Sequence, residues 1–202
     1  MSEVTVLNEN NSALTLYDLS EEWQHIVATC AKEIDATLQY KPQIKLYGKI
    51  CHQHRSIGFY SNDSIGYKYS GQIALSQPLT PLLQQLLDFV NTKFTAQFNG
   101  ILVNKYEGGE DYISAHSDDE KWLDPNIGVV CLSYGTVRKF RIRDKLTKRV
   151  ECDVPTEPNK IIHMHGDFQK HYTHEIPIEK RISGVRYSFT FRHHKEWWFN
   201  PT

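Results

Sequence analysis

The chain has 202 residues, of which 40% are hydrophobic and 12% aromatic, and its formal net charge is −1. This composition predicts one folded domain and excludes a long disordered chain. The absence of a signal-peptide pattern and of a long apolar run favours an intracellular protein without a membrane segment, in the nucleus if the source is a eukaryote and otherwise in the cytoplasm. Four widely spaced cysteines, with no Cys-x-x-Cys pair, indicate reduced thiols rather than disulfides or a zinc finger.

Two helices are predicted before residue 100. Apolar side chains recur at helical spacing over residues 20–38. Thr80 and Pro81 are typical of the N-cap and the first turn of a second helix. From about residue 100 the hydrophobic period changes to two, which predicts several short strands. Helices followed by many strands favour a jelly-roll-like barrel or sandwich buttressed by the helices.

The last predicted strand, "RYSFTFR" at residues 186–192, has two chemically different faces. Side chains alternate between the faces of a strand. The apolar face should be buried against a helix, and the polar face should line the inside of the barrel. Two guanidinium groups there require anionic partners, because an unpaired buried charge is costly; a carboxylate ligand would serve. The polar face consists of Arg186, Ser188, Thr190 and Arg192, and the apolar face of Tyr187, Phe189 and Phe191.

The acidic stretch "YISAHSDDEKW" at residues 112–122 contains a His-x-Asp pair, His116 and Asp118. It could be a solvated loop, or the pair could bind a metal, since residues two apart on an extended backbone point the same way. A non-haem Fe(II) site would need one further histidine. A second pair on one strand face, His163 and His165, is an alternative that could bind zinc. The candidate third ligands are His163, His165, His171, His174, His193 and His194.

Three segments in order, "NKYEGGEDYISAHSDDE", "HYTHEIP" and "RYSFTFR", resemble the AlkB family of Fe(II)- and 2-oxoglutarate-dependent nucleic-acid dealkylases. The resemblance covers about residues 45–194 and is closest to the branch that repairs double-stranded DNA. It implies one α+β domain over residues 1–202, a double-stranded β-helix (jelly-roll) barrel buttressed by N-terminal helices. Residues 40–75 would form a nucleotide-recognition lid and a hairpin, and residues from about 100 to 194 the catalytic core.

The resemblance also implies the roles of individual residues in the core. His116, Asp118 and His174 would be the iron ligands, and His171 a neighbouring or surface residue. Arg186 would bind the distal carboxylate of 2-oxoglutarate, because its planar fork suits two-point pairing. The remaining cosubstrate pocket would be formed by Asn104, Tyr106, Thr190 and Arg192. From the residues alone, a core pair is the favoured interpretation of Asn104 and Tyr106, and His193 and His194 could cap the barrel or contact phosphate.

The same resemblance implies contacts to nucleic acid. In "YKYSG", Tyr67, Tyr69 and Ser70 match the lid, where an aromatic residue holds the flipped base. Asp119 and Glu120 would contact that base or the lid, although Glu120 could belong to a solvated loop. Tyr47 would be the finger that enters the base stack, followed by Arg55. Lys180 and Arg181 resemble a basic loop that grips the complementary strand, and Glu179 departs from its all-basic pattern.

The implied function is DNA repair by oxidative demethylation of bases such as 1-methyladenine and 3-methylcytosine. The reaction would use Fe(II), O2 and 2-oxoglutarate and release formaldehyde, succinate and CO2. The expected partner of this expected monomer is alkylated DNA, double-stranded rather than single-stranded, with RNA as an alternative and no membrane. The alternatives are the same chemistry on RNA or single-stranded DNA, or a catalytically silent nucleic-acid reader. The intact ligand and arginine sets argue against a silent reader.

Overall fold

The computed structural model describes residues 3–46, 48–69 and 72–195. Strands β1 (Glu3–Glu9) and β2 (Ser12–Asp18) precede helix α1 (Glu21–Ile34) and a 3-10 turn at Asp35–Thr37. Before helix α2 (Pro81–Phe94) come β3 (Gln43–Leu46), β4 (Lys49–His52), β5 (Ser56–Tyr60), β6 (Gly66–Tyr69) and β7 (Gln72–Gln77). The remainder comprises β8 (Gly100–Gly108), β9 (Ile113–His116), β10 (Val129–Gly135), β11 (Lys139–Asp144), β12 (Val150–Pro155), β13 (Lys160–Gly166), α3 (Phe168–His171), β14 (Tyr172–Ile176) and β15 (Ser183–Arg192).

The strands form a large and a small sheet of a jelly-roll barrel. The major sheet has nine strands in the order β1-β2-β13-β10-β15-β8-β5-β7-β6, and the minor sheet has four in the order β12-β11-β14-β9. Strands β3 and β4 form a separate antiparallel hairpin. The predicted fold class, an α+β jelly roll, is confirmed.

The helices pack on the outer face of the major sheet, as the apolar face of the last strand predicted. Tyr187, Phe189 and Phe191 of β15 lie in one buried cluster with Val27 of α1 and Leu86 of α2. A second apolar cluster fills the space between the two sheets and leaves the polar face of β15 directed into the barrel. Among the described residues, no helix is long and apolar enough to cross a membrane.

The N-terminal region contains more strand than the sequence predicted. Seven strands precede α2, and β1 and β2 come before the first helix. That helix ends at Ile34 rather than continuing to residue 38. Thr37 donates its hydroxyl proton to the backbone oxygen of Ile34 at 2.7 Å, and Gln39 then pairs with Ile57 of β5. The chain therefore leaves the helix because tertiary strand pairing outweighs the local helical pattern. Strands β9 and β12 were likewise not predicted.

The predicted start of α2 is confirmed in detail. Thr80 is the N-cap, Pro81 occupies the first turn, and the Thr80 hydroxyl accepts a hydrogen bond from the backbone N of Leu83 at 3.2 Å. We therefore expect Thr80→Ala to lower the free energy of unfolding by about 1 kcal/mol. Thr80→Ser, which keeps the acceptor, should change it far less. Urea unfolding of the two variants measures the difference, and equal losses would contradict the capping role.

Candidate metal and cosubstrate site

Two histidines and an aspartate meet at the junction of β9 and β14. The two strands pair antiparallel with His116 opposite His174, and Asp118 follows two residues after β9 ends. Nε2 of His116 lies 3.9 Å from Oδ1 of Asp118, and Nε2 of His174 lies 3.8 Å from Oδ2. The three ligand atoms lie within 4.8 Å of one another. In the described part of the chain, no other group of three such side chains has this geometry.

The protonation states of these side chains suit a divalent metal. Nδ1 of His116 donates to the backbone oxygen of Ser114 at 2.9 Å, which leaves its Nε2 lone pair free. Burial lowers the pKa of His174 to about 3, so this ring is neutral. Burial alone would raise the pKa of Asp118, but the charge of Arg192 and the hydrogen bond that it donates lower it to about 2. Burial also lowers the pKa of His116. Two neutral imidazoles and one carboxylate form the donor set expected for non-haem Fe(II).

The loop that carries Asp118 is held from several sides. Arg192 donates from Nη2 to Oδ1 of Asp118 at 2.7 Å, while Oδ2 is buried without a hydrogen-bond partner in the described residues. The backbone N of Asp118 donates to Oε1 of Gln169 at 2.9 Å. Lys145 pairs with the next carboxylate, that of Asp119, at 2.5 Å. One oxygen of Asp118 is therefore fixed and the other remains available to a metal.

Arg186 projects into the barrel from β15 and is 1% exposed. Its Nη2 donates to the hydroxyl of Ser133 at 2.9 Å and its Nε donates to that of Thr156 at 3.1 Å. Its guanidinium carbon lies 5.3 Å from the centre of the Tyr106 ring. Nη1 has no partner, and Arg186 forms no ion pair within the described residues. A buried cation without a carboxylate partner is a candidate binding site for an anion.

His116, His174 and Arg186 line one cavity between the two sheets. Asn104 is partly satisfied there, because its Oδ1 accepts from Nε of Arg55 at 2.8 Å. Thr190 lies 3.6 Å from the sulfur of Cys131. The structure thus brings together these predicted site residues in the cavity wall: Arg55, Tyr67, Asn104, Tyr106, His116, His174, Arg186, Thr190 and Arg192.

Arg192 lines this cavity but has a different environment from Arg186. It is paired with Asp118, and its guanidinium carbon lies 5.0 Å from the centre of the Tyr67 ring. Burial would lower its pKa, but the charge of Asp118 raises it. Of the two arginines, Arg186 is therefore the one without an anionic partner.

The predicted lid contacts the loop that follows Asp118 through Tyr67. Tyr67 of β6 is buried, and its hydroxyl donates to Oε1 of Glu120 at 3.2 Å. Burial and the charge of Asp118 raise the pKa of Glu120 to about 7. Asp119 is directed to Lys145 and not to the lid, so the two acids have separate environments.

Several predicted nucleic-acid contacts stand apart from the cavity or outside the described structure. Lys180 and Arg181 are exposed in the loop before β15. Tyr47 and Ser70 lie outside the described residues, as does the side chain of Tyr69. These predictions remain predictions.

The other candidate histidines do not join the metal group. His171 is exposed at the end of α3. The rings of His163 and His165 stack with centres 4.6 Å apart, but no third ligand accompanies them in the described residues. His194 is fully buried and its Nδ1 lies 2.6 Å from the Ser64 hydroxyl, which excludes a contact with phosphate.

Sequence reasoning missed the hydroxyl groups that hold Arg186. Ser133 had a visible signal, because it is the one serine or threonine in the apolar strand "VVCLSYG" and shares a face with Val129 and Cys131. Thr156, which also holds Arg186, and Gln169, which holds Asp118, had no signal in the sequence, since their contacts depend on how distant segments pack together.

Comparisons with known proteins agree with this geometry. A family model for the 2OG-Fe(II) oxygenase superfamily matches residues 15–192. The human DNA oxidative demethylase ALKBH2 is 27% identical over 178 residues, which cover 85% of this chain and 68% of that protein. Human alpha-ketoglutarate-dependent dioxygenase alkB homolog 3 is 28% identical over 120 residues, covering 55% of this chain and 42% of that protein.

A solved structure, that of OsALKBH1, shares the fold with a TM-score of 0.55 at 16% identity, over 89% of this chain and 97% of that one. The predicted resemblance to the AlkB family is confirmed by the curated relatives. The chain belongs to the 2OG-Fe(II) oxygenase superfamily, and it is a dioxygenase that uses Fe(II) and 2-oxoglutarate.

Proposed function

We propose that this dioxygenase repairs DNA by oxidative demethylation of N-alkylated bases such as 1-methyladenine and 3-methylcytosine. The observation that carries the cosubstrate part is the buried guanidinium of Arg186, which has no acidic partner and lines the same cavity as His116 and His174. The substrate part is supported by the similarity to DNA oxidative demethylases over most of the chain. Bound Fe(II) and 2-oxoglutarate together would supply the O2-dependent oxidation of an N-methyl group, with formaldehyde, succinate and CO2 as products.

The residues of this chain would bind and orient the reactants. His116, Asp118 and His174 would hold Fe(II) and leave coordination positions open on the cavity side. Arg186 would bind the distal carboxylate of 2-oxoglutarate through its free Nη1, with Ser133 and Thr156 fixing the guanidinium plane.

The substrate base would enter between the lid and the metal. The chemistry requires an extruded nucleotide, because a stacked base cannot reach the metal inside a duplex. Tyr67 closes one wall of the cavity through its hydrogen bond to Glu120, and Arg55 forms another wall.

We further propose that the substrate is double-stranded. The hairpin of β3 and β4 carries the predicted finger, and Gly48 at its tip has φ +82° and no atom within 4 Å of a Cβ position. A left-handed glycine favours a tight turn, and Tyr47, the residue proposed to enter the base stack, precedes this glycine in the sequence. Exposed Lys45 and Lys49 on the same hairpin would face the phosphate backbone.

The metal assignment can be tested with two histidine variants. We expect His174→Ala to weaken Mn(II) binding by more than about 100-fold, since even residues that only orient ligands contribute about 10–100-fold. His171→Ala, at an exposed position in the same segment, should leave it unchanged. Calorimetric titration without O2 measures both. Normal affinity in the His174 variant would refute the ligand set.

The cosubstrate assignment predicts a specific effect of Arg186→Lys. Lysine keeps the charge but cannot form a two-point contact with a carboxylate, so the apparent KM for 2-oxoglutarate should rise about 10- to 100-fold, as expected for a charged hydrogen bond of about 1.5–3 kcal/mol. The matched control is Arg141→Lys, whose arginine pairs with Asp153 at the surface. An unchanged KM in the Arg186 variant would place the anchor elsewhere.

The finger hypothesis predicts an effect that depends on strandedness. Aromatic stacking on a base contributes about 1–3 kcal/mol, so Tyr47→Ala should lower kcat/KM on methylated duplexes about five- to 150-fold. Matched single strands need little unstacking and should be hardly affected. Formaldehyde release from the two oligonucleotides, with melting temperature recorded, measures this. Equal losses on both would contradict the finger, and a preference of the unmodified protein for RNA or single strands would contradict the duplex proposal.

A further inference from the structure

Glu179 interrupts the basic loop between β14 and β15, but its side chain is turned inward. The side chain is 14% exposed, and Oε2 accepts hydrogen bonds from Nε of Arg138 at 3.1 Å and from the backbone N of Lys139 at 3.0 Å. An acid placed among basic residues would ordinarily repel a polyanion. Here its charge is directed to Arg138 rather than to the solvent.

Arg138 is the buried centre of this arrangement, with 2% exposure. Its Nη1 donates to the backbone oxygen of Gly108 at 2.9 Å, and its Nη2 donates to those of Asp111 and Pro177 at 2.9 and 2.7 Å. One guanidinium therefore joins the end of β8, the turn that follows it, and the start of the basic loop. With Glu179 as its anionic partner, the buried charge is compensated.

The backbone fixes the same loop from the other side. Gly109 donates from N to the oxygen of Ile182 at 3.0 Å, and its own oxygen accepts from the N of Glu179 at 2.8 Å. A Cβ at position 109 would lie 2.0 Å from the oxygen of Glu179, so only glycine permits this close approach. The loop is thus held at both of its ends.

The two residues between these anchors are Lys180 and Arg181. Both are exposed, and neither has an ion-pair partner among the described residues. The turn that anchors them also contacts the residues that flank the β3–β4 hairpin, because Tyr112 stacks on His54 at 4.5 Å and Asp111 accepts from Nζ of Lys41 at 2.7 Å. The basic loop and the hairpin are therefore connected through one turn, residues 108–112.

We infer that Glu179, through Arg138, is a positioning residue that holds Lys180 and Arg181 in place to contact the phosphates of a bound duplex. This inference rests on the proposed function, since it requires a nucleic-acid substrate. It predicts an effect opposite in sign to simple electrostatics: loss of the hydrogen bonds that Glu179 accepts should weaken binding to DNA, even when the substitution also removes a negative charge from a basic surface.

Two substitutions separate the effect of the Glu179 charge from the effect of the hydrogen bonds that Glu179 accepts from Arg138 and Lys139. Glu179→Ala and Glu179→Gln remove the same charge, but only glutamine keeps an oxygen that can accept from Arg138 and Lys139. Binding to a short duplex with one 1-methyladenine is measured by fluorescence anisotropy over a range of salt, with Mn(II) present and without O2 or 2-oxoglutarate. We expect the glutamine variant to bind at least as tightly as the unmodified protein. The alanine variant should bind at least about threefold more weakly, with a salt slope shallower by up to about two, because each phosphate contact contributes about one.

The same pair is then compared in a Lys180→Ala, Arg181→Ala background. If Glu179 acts through these two residues, Glu179→Ala should have no further effect there, whereas a general loss of stability would persist. Melting temperature shows that each variant is folded. If the alanine variant does not fold, Glu179→Asp replaces it, because the shorter carboxylate keeps the charge but cannot reach both donors, and it should bind more weakly than the glutamine variant.

The inference is overturned if Glu179→Ala, or the Glu179→Asp variant that replaces it, binds the duplex as tightly as Glu179→Gln. It is also overturned if that variant loses as much affinity in the Lys180→Ala, Arg181→Ala background as in the unmodified protein. Those results would leave the proposed function intact. A different result bears on that function: if the unmodified protein releases no formaldehyde from methylated DNA of either strandedness, the proposed substrate is wrong whatever the variants show.

Discussion

The guanidinium of Arg186 lies between the two sheets with hydroxyl groups of Ser133 and Thr156 as its described hydrogen-bond partners. A charge in that position is stable only if an anion joins it or if the surrounding dipoles compensate it. Strand β15 places it there because the aromatic residues on the opposite face of the strand pack against the helices, which directs the polar face into the barrel. The same strand pairs with β8 and β10 on either side. The hydrophobic packing of one face therefore fixes the position of the polar side chains on the other.

The second arginine of this strand shows how the charges of the site compensate one another. Arg192 neutralises Asp118, whereas Arg186 has no acid. A divalent metal and the dianion 2-oxoglutarate carry opposite charges of equal size, so binding both leaves the net charge of the cavity unchanged. Binding of the metal alone would add two positive charges to a cavity that already holds the uncompensated charge of Arg186. The two should therefore bind cooperatively, each raising the affinity for the other.

The sequence predicted the parts of the site that depend on local pattern. The two faces of β15, the cap of α2 and the His-x-Asp pair could be identified because each is a short-range feature. The choice of His174 over His171 depended on family resemblance, and the structure supplies the physical reason: strand pairing sets His174 opposite His116, while His171 ends a short helix. Contacts between distant segments, such as Gln169 with Asp118 or Lys145 with Asp119, could not be predicted, because strand register and loop packing are not encoded in any one window.

The most direct test of this account is the melting temperature of the protein without O2 under four conditions: alone, with Mn(II), with 2-oxoglutarate, and with both. A ligand that binds the folded state raises the melting temperature according to its concentration relative to Kd. The account predicts that 2-oxoglutarate gives a large increase only when Mn(II) is present. The same increase without metal, or no increase with it, would contradict the paired metal and cosubstrate site.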